Sequence, residues 1–213
     1  MNIFEKLSTR FGPQHWWPAQ TKFEVIVGCF LTQNTSWSQV EKSISNLKKK
    51  KLLSVDGISK GNEDLIKECI TPAGYFNQKC EMLKKFCTFV EQNYAGDLNA
   101  LLKKPLKSLR PELLSLHGVG PETADSILLY ASNQPSFVID AYTKRIMERL
   151  GFEVDWDYDS LKDWFETFLP KNTKLFNEFH ALLVQLAKQN CLKTEPLCET
   201  CPLQLNCKFG KKV

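Results

Sequence analysis

The sequence predicts an all-α fold, and three observations carry that prediction. Apolar residues recur at the 3.6-residue spacing of a helix through most of the chain, no apolar–polar alternation runs long enough to build a sheet, and Gly and Pro break the periodic stretches into short turns. Taken in chain order, the first element is the hardest to assign. Phe23-Glu24-Val25-Ile26-Val27-Gly28-Cys29-Phe30-Leu31 is a β-branched run that pattern alone allows as a buried strand, but no partner strand is evident, so a helix is expected. Helices are expected next at 37–50, 63–70, 77–93, 106–115, 121–132 and 141–150. The first of these ends in Lys48-Lys49-Lys50-Lys51, most simply a solvated helix end whose charge suits the negative pole of the dipole. Tyr158 to Leu169 gives a further amphipathic helix. Leu175 to Leu186 is the clearest case: Leu175, Phe179, Leu182, Leu183 and Leu186 share one face, with Asn172 or Thr173 available as the N-cap.

At 213 residues and 43% hydrophobic composition the chain can bury a sizeable core, as one domain or two small ones. A net charge of +4, from 28 Lys+Arg against 24 Asp+Glu, is mild, so binding to a polyanion needs a local basic face. The start, Met1-Asn2-Ile3-Phe4-Glu5-Lys6, is amphipathic and charged, unlike a leader, and no run of 18 apolar residues is free of charge. Secretion and membrane insertion are therefore not expected, and a cytoplasmic location is.

The eight cysteines form two populations. Cys29, Cys69, Cys80 and Cys87 are scattered through apolar or helical sequence and read as buried free thiols. Cys191, Cys198, Cys201 and Cys207 crowd into 17 residues as Cys-x6-Cys-x2-Cys-x5-Cys, which could wrap one compact metal site. Four soft ligands fit zinc or a [4Fe-4S] cluster. Zinc sites usually pair two Cys-x2-Cys knuckles, and one alone is present here, so the spacing leans toward iron–sulfur. Pro196 and Pro202 would stiffen that loop.

Leu113-Leu114-Ser115-Leu116-His117-Gly118-Val119-Gly120-Pro121-Glu122-Thr123-Ala124 reads as a helix, a tight turn and a second helix. Gly118 and Gly120 free the turn of Cβ atoms, permitting positive φ and close approach of a ligand, and Pro121 suits the first helical position. Amides at such a helix start attract an anion. Further on, Phe137-Val138-Ile139 ends in Asp140, ahead of Ala141-Tyr142-Thr143-Lys144-Arg145-Ile146. Asp140 is open to two readings: an N-cap, or a carboxylate placed to stabilise developing positive charge and to orient or deprotonate water.

Leu116 to Ala124, then Val138-Ile139-Asp140, then the four-cysteine tail, in that order, resemble the endonuclease III superfamily of DNA glycosylases. Leu31-Thr32-Gln33-Asn34-Thr35 and Gly74-Tyr75-Phe76-Asn77-Gln78-Lys79 are similar to further signatures of that family, so the likeness covers nearly the whole chain. The resemblance implies two helical lobes flanking a DNA-binding cleft: a barrel with the helix-hairpin-helix over 20–132, and a second lobe of 1–19 plus 133–213 holding an iron–sulfur cluster loop at 191–207. It implies a [4Fe-4S] cofactor on Cys191, Cys198, Cys201 and Cys207. It also implies hairpin contacts to DNA through Gly118, Val119 and Gly120, a flipped target nucleotide, Asp140 as the catalytic carboxylate, and Gln33 filling or reading the gap left in the duplex. The expected partner is double-stranded DNA with a damaged base, bound by a monomer in the cytoplasm, where it would associate with the nucleoid, and with no membrane involved.

One departure narrows the chemistry. Members that also cut the backbone carry a Schiff-base lysine second after the hairpin glycine, and that position here is Glu122, 18 residues before Asp140 as the family spacing requires. Glu122 cannot form an imine with the sugar, so a monofunctional enzyme that uses water is expected. Trp16-Trp17-Pro18, with Leu31 to Trp37, is similar to the 3-methyladenine glycosylases of the superfamily, where aromatics from these two places sandwich the extruded base. Trp16, Trp17, Trp37 and Glu122 are then the base-pocket candidates; the alternative is that the tryptophans only pack the core. An alkylated purine is cationic, and stacking on an indole face would add cation–π attraction. Two rivals remain: a glycosylase for mismatched thymine, uracil or adenine, and a non-catalytic damage-binding module that would need neither Asp140 nor an aromatic pocket.

Overall fold

The computed structural model describes residues 3–153, 155 and 157–211. Met1 and Asn2, which open the amphipathic N-terminal segment, lie outside the described residues. The chain runs through α1 (Ile3–Phe11), α2 (Lys22–Leu31), α3 (Trp37–Lys49), α4 (Val55–Lys60), α5 (Glu63–Ile70) and α6 (Phe76–Tyr94). It continues through α7 (Leu98–Leu102), α8 (Leu106–Leu114), α9 (Pro121–Ser126), α10 (Ala141–Leu150), α11 (Tyr158–Phe168) and α12 (Thr173–Gln189). The described residues contain no strand, which confirms the all-α class. None of their helices is long and apolar enough to cross a membrane. The chain divides into two compact units, Ala19–Gln134 and Met1–Pro18 with Pro135–Val213.

In the unit Ala19–Gln134, α2 is buried from Phe23 to Leu31. That burial on every side is why its residues show neither helical nor strand periodicity: a helix surrounded by protein has no polar face. Thr21 starts it, its hydroxyl accepting from the Glu24 amide at 3.1 Å. At its far end the buried Lys79 ammonium donates to the carbonyls of Leu31 (2.9 Å) and Ala73 (2.8 Å), tying α6 to α2 and to the turn before α6. Burial pushes the Lys79 ammonium below the ordinary lysine range. Phe30 and Phe86 meet in the core at 5.6 Å. The stretch expected as one helix over 121–132 is α-helical only to Ser126. From Ile127 to Ala131 it widens to a π-turn, closed by Ser132 N–H on the Ile127 carbonyl at 2.9 Å.

In the other unit, a phenylalanine cluster forms the centre. Phe137, in the extended segment before α10, stacks on Phe165 of α11 at 4.1 Å and meets Phe176 and Phe179 of α12 edge-on at 5.4 and 5.9 Å. Phe4 of α1 packs on Phe179 at 5.5 Å. The backbone of that extended segment is held as well: Phe137 N–H donates to Glu166 at 2.9 Å and Ile139 N–H to the Tyr158 hydroxyl at 3.4 Å. The segment therefore reaches Asp140 with little freedom left.

Candidate functional site

The hairpin of α8 and α9 is braced from beneath. Arg110 of α8 forms a bidentate pair with the fully buried Asp125 of α9, Nε to Oδ1 at 3.0 Å and Nη2 to Oδ2 at 3.1 Å. Its two glycines do different work. Gly118 sits at φ +77, and a Cβ there would come within 2.0 Å of the Met82 sulfur, so both conformation and packing demand glycine. Gly120 has φ −89 and ψ 178, ordinary extended backbone, and a Cβ built on it meets nothing within 4 Å. The openness at Gly120 thus serves no neighbour in its own unit. Val119 has a buried side chain, and its N–H turns back onto the Leu116 carbonyl at 3.2 Å.

Gln33, from the loop after α2, reaches this hairpin: its amide nitrogen donates to the Gly118 carbonyl at 3.2 Å and to the Thr123 hydroxyl at 3.1 Å. The two family-like segments, 31–35 and 116–124, are thereby joined. Glu122 is exposed in the first turn of α9. It stands near enough to Cys29 that, after burial, its charge is the next cause raising that thiol far above its ordinary value.

In the other unit Asp140 caps α10, its Oδ1 accepting from the Thr143 amide at 2.7 Å. Its Oδ2 lies 3.5 Å from Nε2 of His180, a buried residue of α12. Burial alone would raise the carboxyl, but hydrogen bonding and charge from His180, helped by Thr143, outweigh it and hold Asp140 below the ordinary aspartate range. The group is an anion that is largely withdrawn from water. Trp16 and Trp17 meet edge-to-face at 5.5 Å, and the Lys188 ammonium of α12 lies over the Trp16 ring at 5.6 Å from its centroid. Trp37 belongs to the other unit, as the half-buried first residue of α3.

The expected iron–sulfur site does not survive. Among the described residues no group of three or more His, Cys, Asp or Glu side chains is placed to hold a metal ion. Cys191, Cys198, Cys201 and Cys207 do line one cavity, but it measures about 20 Å³. The sulfurs of Cys191 and Cys207 are engaged elsewhere: Arg149 Nη1 donates to Cys191 at 3.3 Å, Cys207 donates to the Arg149 carbonyl at 3.1 Å, and Gly210 N–H donates to Cys207 at 3.3 Å. Burial raises the thiols of Cys198 and Cys201, which favours their neutral form. What anchors the tail is Arg149, which also donates to the carbonyls of Leu192 (2.6 Å) and Lys193 (3.0 Å) and stacks on Phe209 at 4.9 Å. The residues do not fit a [4Fe-4S] cofactor, and neither metal binding nor a cluster loop at 191–207 is retained.

His180, Lys188 and the Arg110–Asp125 brace were not singled out from sequence. His180 follows Phe179 directly on the apolar stretch of α12, and a rare buried histidine there, one of three in the chain, is the signal that was available.

The family model of the HhH-GPD superfamily base excision DNA repair proteins matches residues 27–171. The chain is 48% identical over 208 residues to a protein of Methanocaldococcus jannaschii to which a DNA repair glycosylase activity is ascribed, across 96% of this chain and 94% of that one. The crystal structure of H. pylori 3-methyladenine DNA glycosylase bound to 1,N6-ethenoadenine superposes with a TM-score of 0.75 at 28% identity, over 89% of this chain and 98% of that one. A trapped endonuclease III–DNA covalent intermediate gives a TM-score of 0.84 over 98% and 94% of the two chains, and at 22% identity that likeness is one of fold.

Proposed function

We propose a function from one premise: this chain belongs to the HhH-GPD superfamily of base excision DNA repair proteins. It is a DNA N-glycosylase, a hydrolase acting on damaged bases in double-stranded DNA. Our reading is that it is monofunctional and releases alkylated purines, 3-methyladenine foremost. The observation that carries the chemistry is Asp140, a largely buried carboxylate whose Oδ1 is fixed by the Thr143 amide and whose Oδ2 faces His180. As the bond between C1′ and the base nitrogen breaks, its electron pair moves into the cationic purine, which leaves neutral, and positive charge builds on the sugar. A fixed anion stabilises that charge, and water adds to C1′ while giving its proton to the carboxylate. Glu122, standing where lyase members carry lysine, offers no amine to attack the sugar. Of the amines that could substitute, Lys79 is buried and committed to two carbonyls.

The substrate reading draws support from Trp16, Trp17 and Trp37 as stacking surfaces, and from the 28% identity to the H. pylori 3-methyladenine glycosylase. A second reading has one specific observation in its favour. Lys188 already places a cation over Trp16, which favours a neutral lesion over a charged one at that indole. A panel of duplexes containing 3-methyladenine, 7-methylguanine, 1,N6-ethenoadenine, uracil, mismatched thymine or mismatched adenine, with chromatography of released bases, decides between them. The proposal expects methylated purine release, an intact abasic strand that breaks only under alkali or heat, no borohydride adduct, and loss of base release in Asp140→Asn with lesion binding kept. Release of neutral bases alone would transfer the assignment to the second reading, and an active Asp140→Asn would return Asp140 to a capping role.

A further inference from the structure

We propose that His180 is a positioning residue for Asp140, holding the second oxygen of the carboxylate from a separate helix so that the group keeps the orientation its chemistry needs. The proposal rests on Asp140 being the catalytic carboxylate. A capping aspartate uses one oxygen: Oδ1 is committed to the Thr143 amide at 2.7 Å. With that contact alone the carboxylate can still pivot, and Oδ2 would sample several directions. His180 Nε2 faces Oδ2 at 3.5 Å and supplies a charge contact from a second direction. It does so from α12, whose packing against α1 is fixed by Phe4 on Phe179, beside His180 in sequence. The carboxylate plane is thus referred to two helices.

The burial of His180 points the same way. Its neighbours along α12, from Phe179 to Leu183, are buried, and an imidazole in such a setting is costly unless a polar partner meets it. The Asp140 carboxylate is the charged group that its Nε2 faces, at 3.5 Å, a charge contact rather than a hydrogen bond. Among the described residues, these groups face Asp140 or the backbone beside it. His180 is the titratable one from α12, the Thr143 amide comes from α10, and the Tyr158 hydroxyl of α11 is turned to the Ile139 amide next door. Burial raises the carboxyl and His180 leads the causes lowering it, so removal of His180 shifts the balance toward the protonated acid. Asp140 would then be protonated at a higher pH than in the native protein.

The test is single-turnover base release from whichever duplex of the panel the native enzyme processes fastest, followed across pH for His180→Phe, His180→Gln and Asp140→Asn. His180→Phe keeps ring volume without a donor, and should slow release at neutral pH by about tenfold or more, equivalent to about 1.4 kcal/mol, with lesion-duplex affinity changed by no more than about twofold. The acid limb of its rate profile should move toward neutrality. His180→Gln keeps an uncharged donor and should recover to within about threefold of the native rate. A purely structural histidine would lower the melting temperature without moving the limb. Should His180→Phe not fold, His180→Leu takes its place: displacement of its limb toward neutrality supports the proposal, and an unmoved limb overturns it. Native rates and an unmoved limb in both His180 variants, beside an inactive Asp140→Asn, overturn the positioning role and leave the reading of Asp140 intact. An active Asp140→Asn removes the reading on which the proposal stands.

Discussion

The two hairpin glycines make a paired prediction in which one substitution should damage folding and the other should damage only binding. Gly118→Ala places a side chain at φ +77, which costs about 1–2 kcal/mol for an L-residue in the left-handed region. The new Cβ would also lie 2.0 Å from the Met82 sulfur and 2.3 Å from its Cγ, and relieving such overpacking against a buried side chain costs about 1–3 kcal/mol. The sum is about 2–5 kcal/mol, and at about 2–4 °C per kcal/mol for a chain of this size the melting temperature should fall by about 4–20 °C. Gly120→Ala meets neither obstacle, since its backbone is extended and the space around a Cβ is open. Its stability should stay within about 0.5 kcal/mol of native. If that space admits a DNA phosphate, the same methyl group should weaken binding to any duplex, damaged or not. Thermal melts and fluorescence anisotropy on undamaged and lesion duplexes, at one salt concentration, measure both effects. A native melting temperature for Gly118→Ala, or a native duplex affinity for Gly120→Ala, would refute the division of labour.

Other consequences can be measured directly. Arg110→Ala strips the bidentate partner from the buried Asp125 and should cost about 3–5 kcal/mol in chemical denaturation, with Arg110→Ala/Asp125→Asn recovering part of it because no carboxylate is then left behind. Asn172→Ala removes the side chain that accepts from the Leu175 amide at 3.0 Å and should cost about 1 kcal/mol. Asp140 is held below its ordinary value of 3.8, so the stability it contributes is fully present above that value and is lost as pH falls through the lower folded pKa. The gap in melting temperature between native protein and Asp140→Asn should therefore be constant above about pH 5 and close progressively below about pH 4. A gap that widens toward low pH would reverse the sign of the shift.

Much of the helical skeleton was legible because its punctuation is chemical. The bounds of α10 were expected at 141–150 and are found there, since Asp140 caps one end and Gly151 at φ +86 closes the other. The apolar run at 23–31 was assigned by the absence of a partner strand, and its burial on all sides explains why periodicity was silent. α4 and α7, of six and five residues, are too short to establish a period, and the π-turn after Ser126 differs from an α-helix by one residue in its hydrogen-bond step, which no apolar pattern resolves. The cysteine spacing misled for a related reason. Proximity in sequence brought the four residues to one cavity, but ligation needs convergent sulfurs, and Arg149, at a distance of 42 residues from Cys191, draws two of them away.

Asp140 shows most clearly what a sequence can and cannot separate. From the chain alone, a capping aspartate and a catalytic aspartate were competing readings of one residue. In three dimensions they are compatible, because a carboxylate has two oxygens: Oδ1 satisfies the first turn of α10, and Oδ2 faces His180. The cap does more than coexist with the chemistry. It orients one oxygen and lets the amide end of α10 favour the ionised form, so the N-terminus of the helix and the buried histidine act on the same charge from two sides. Both oppose the effect of burial, and of the two His180 contributes the leading causes. The proposed catalytic anion thus joins a residue with strong local signals to a histidine it faces, 40 positions away on an apolar helix face, that has none.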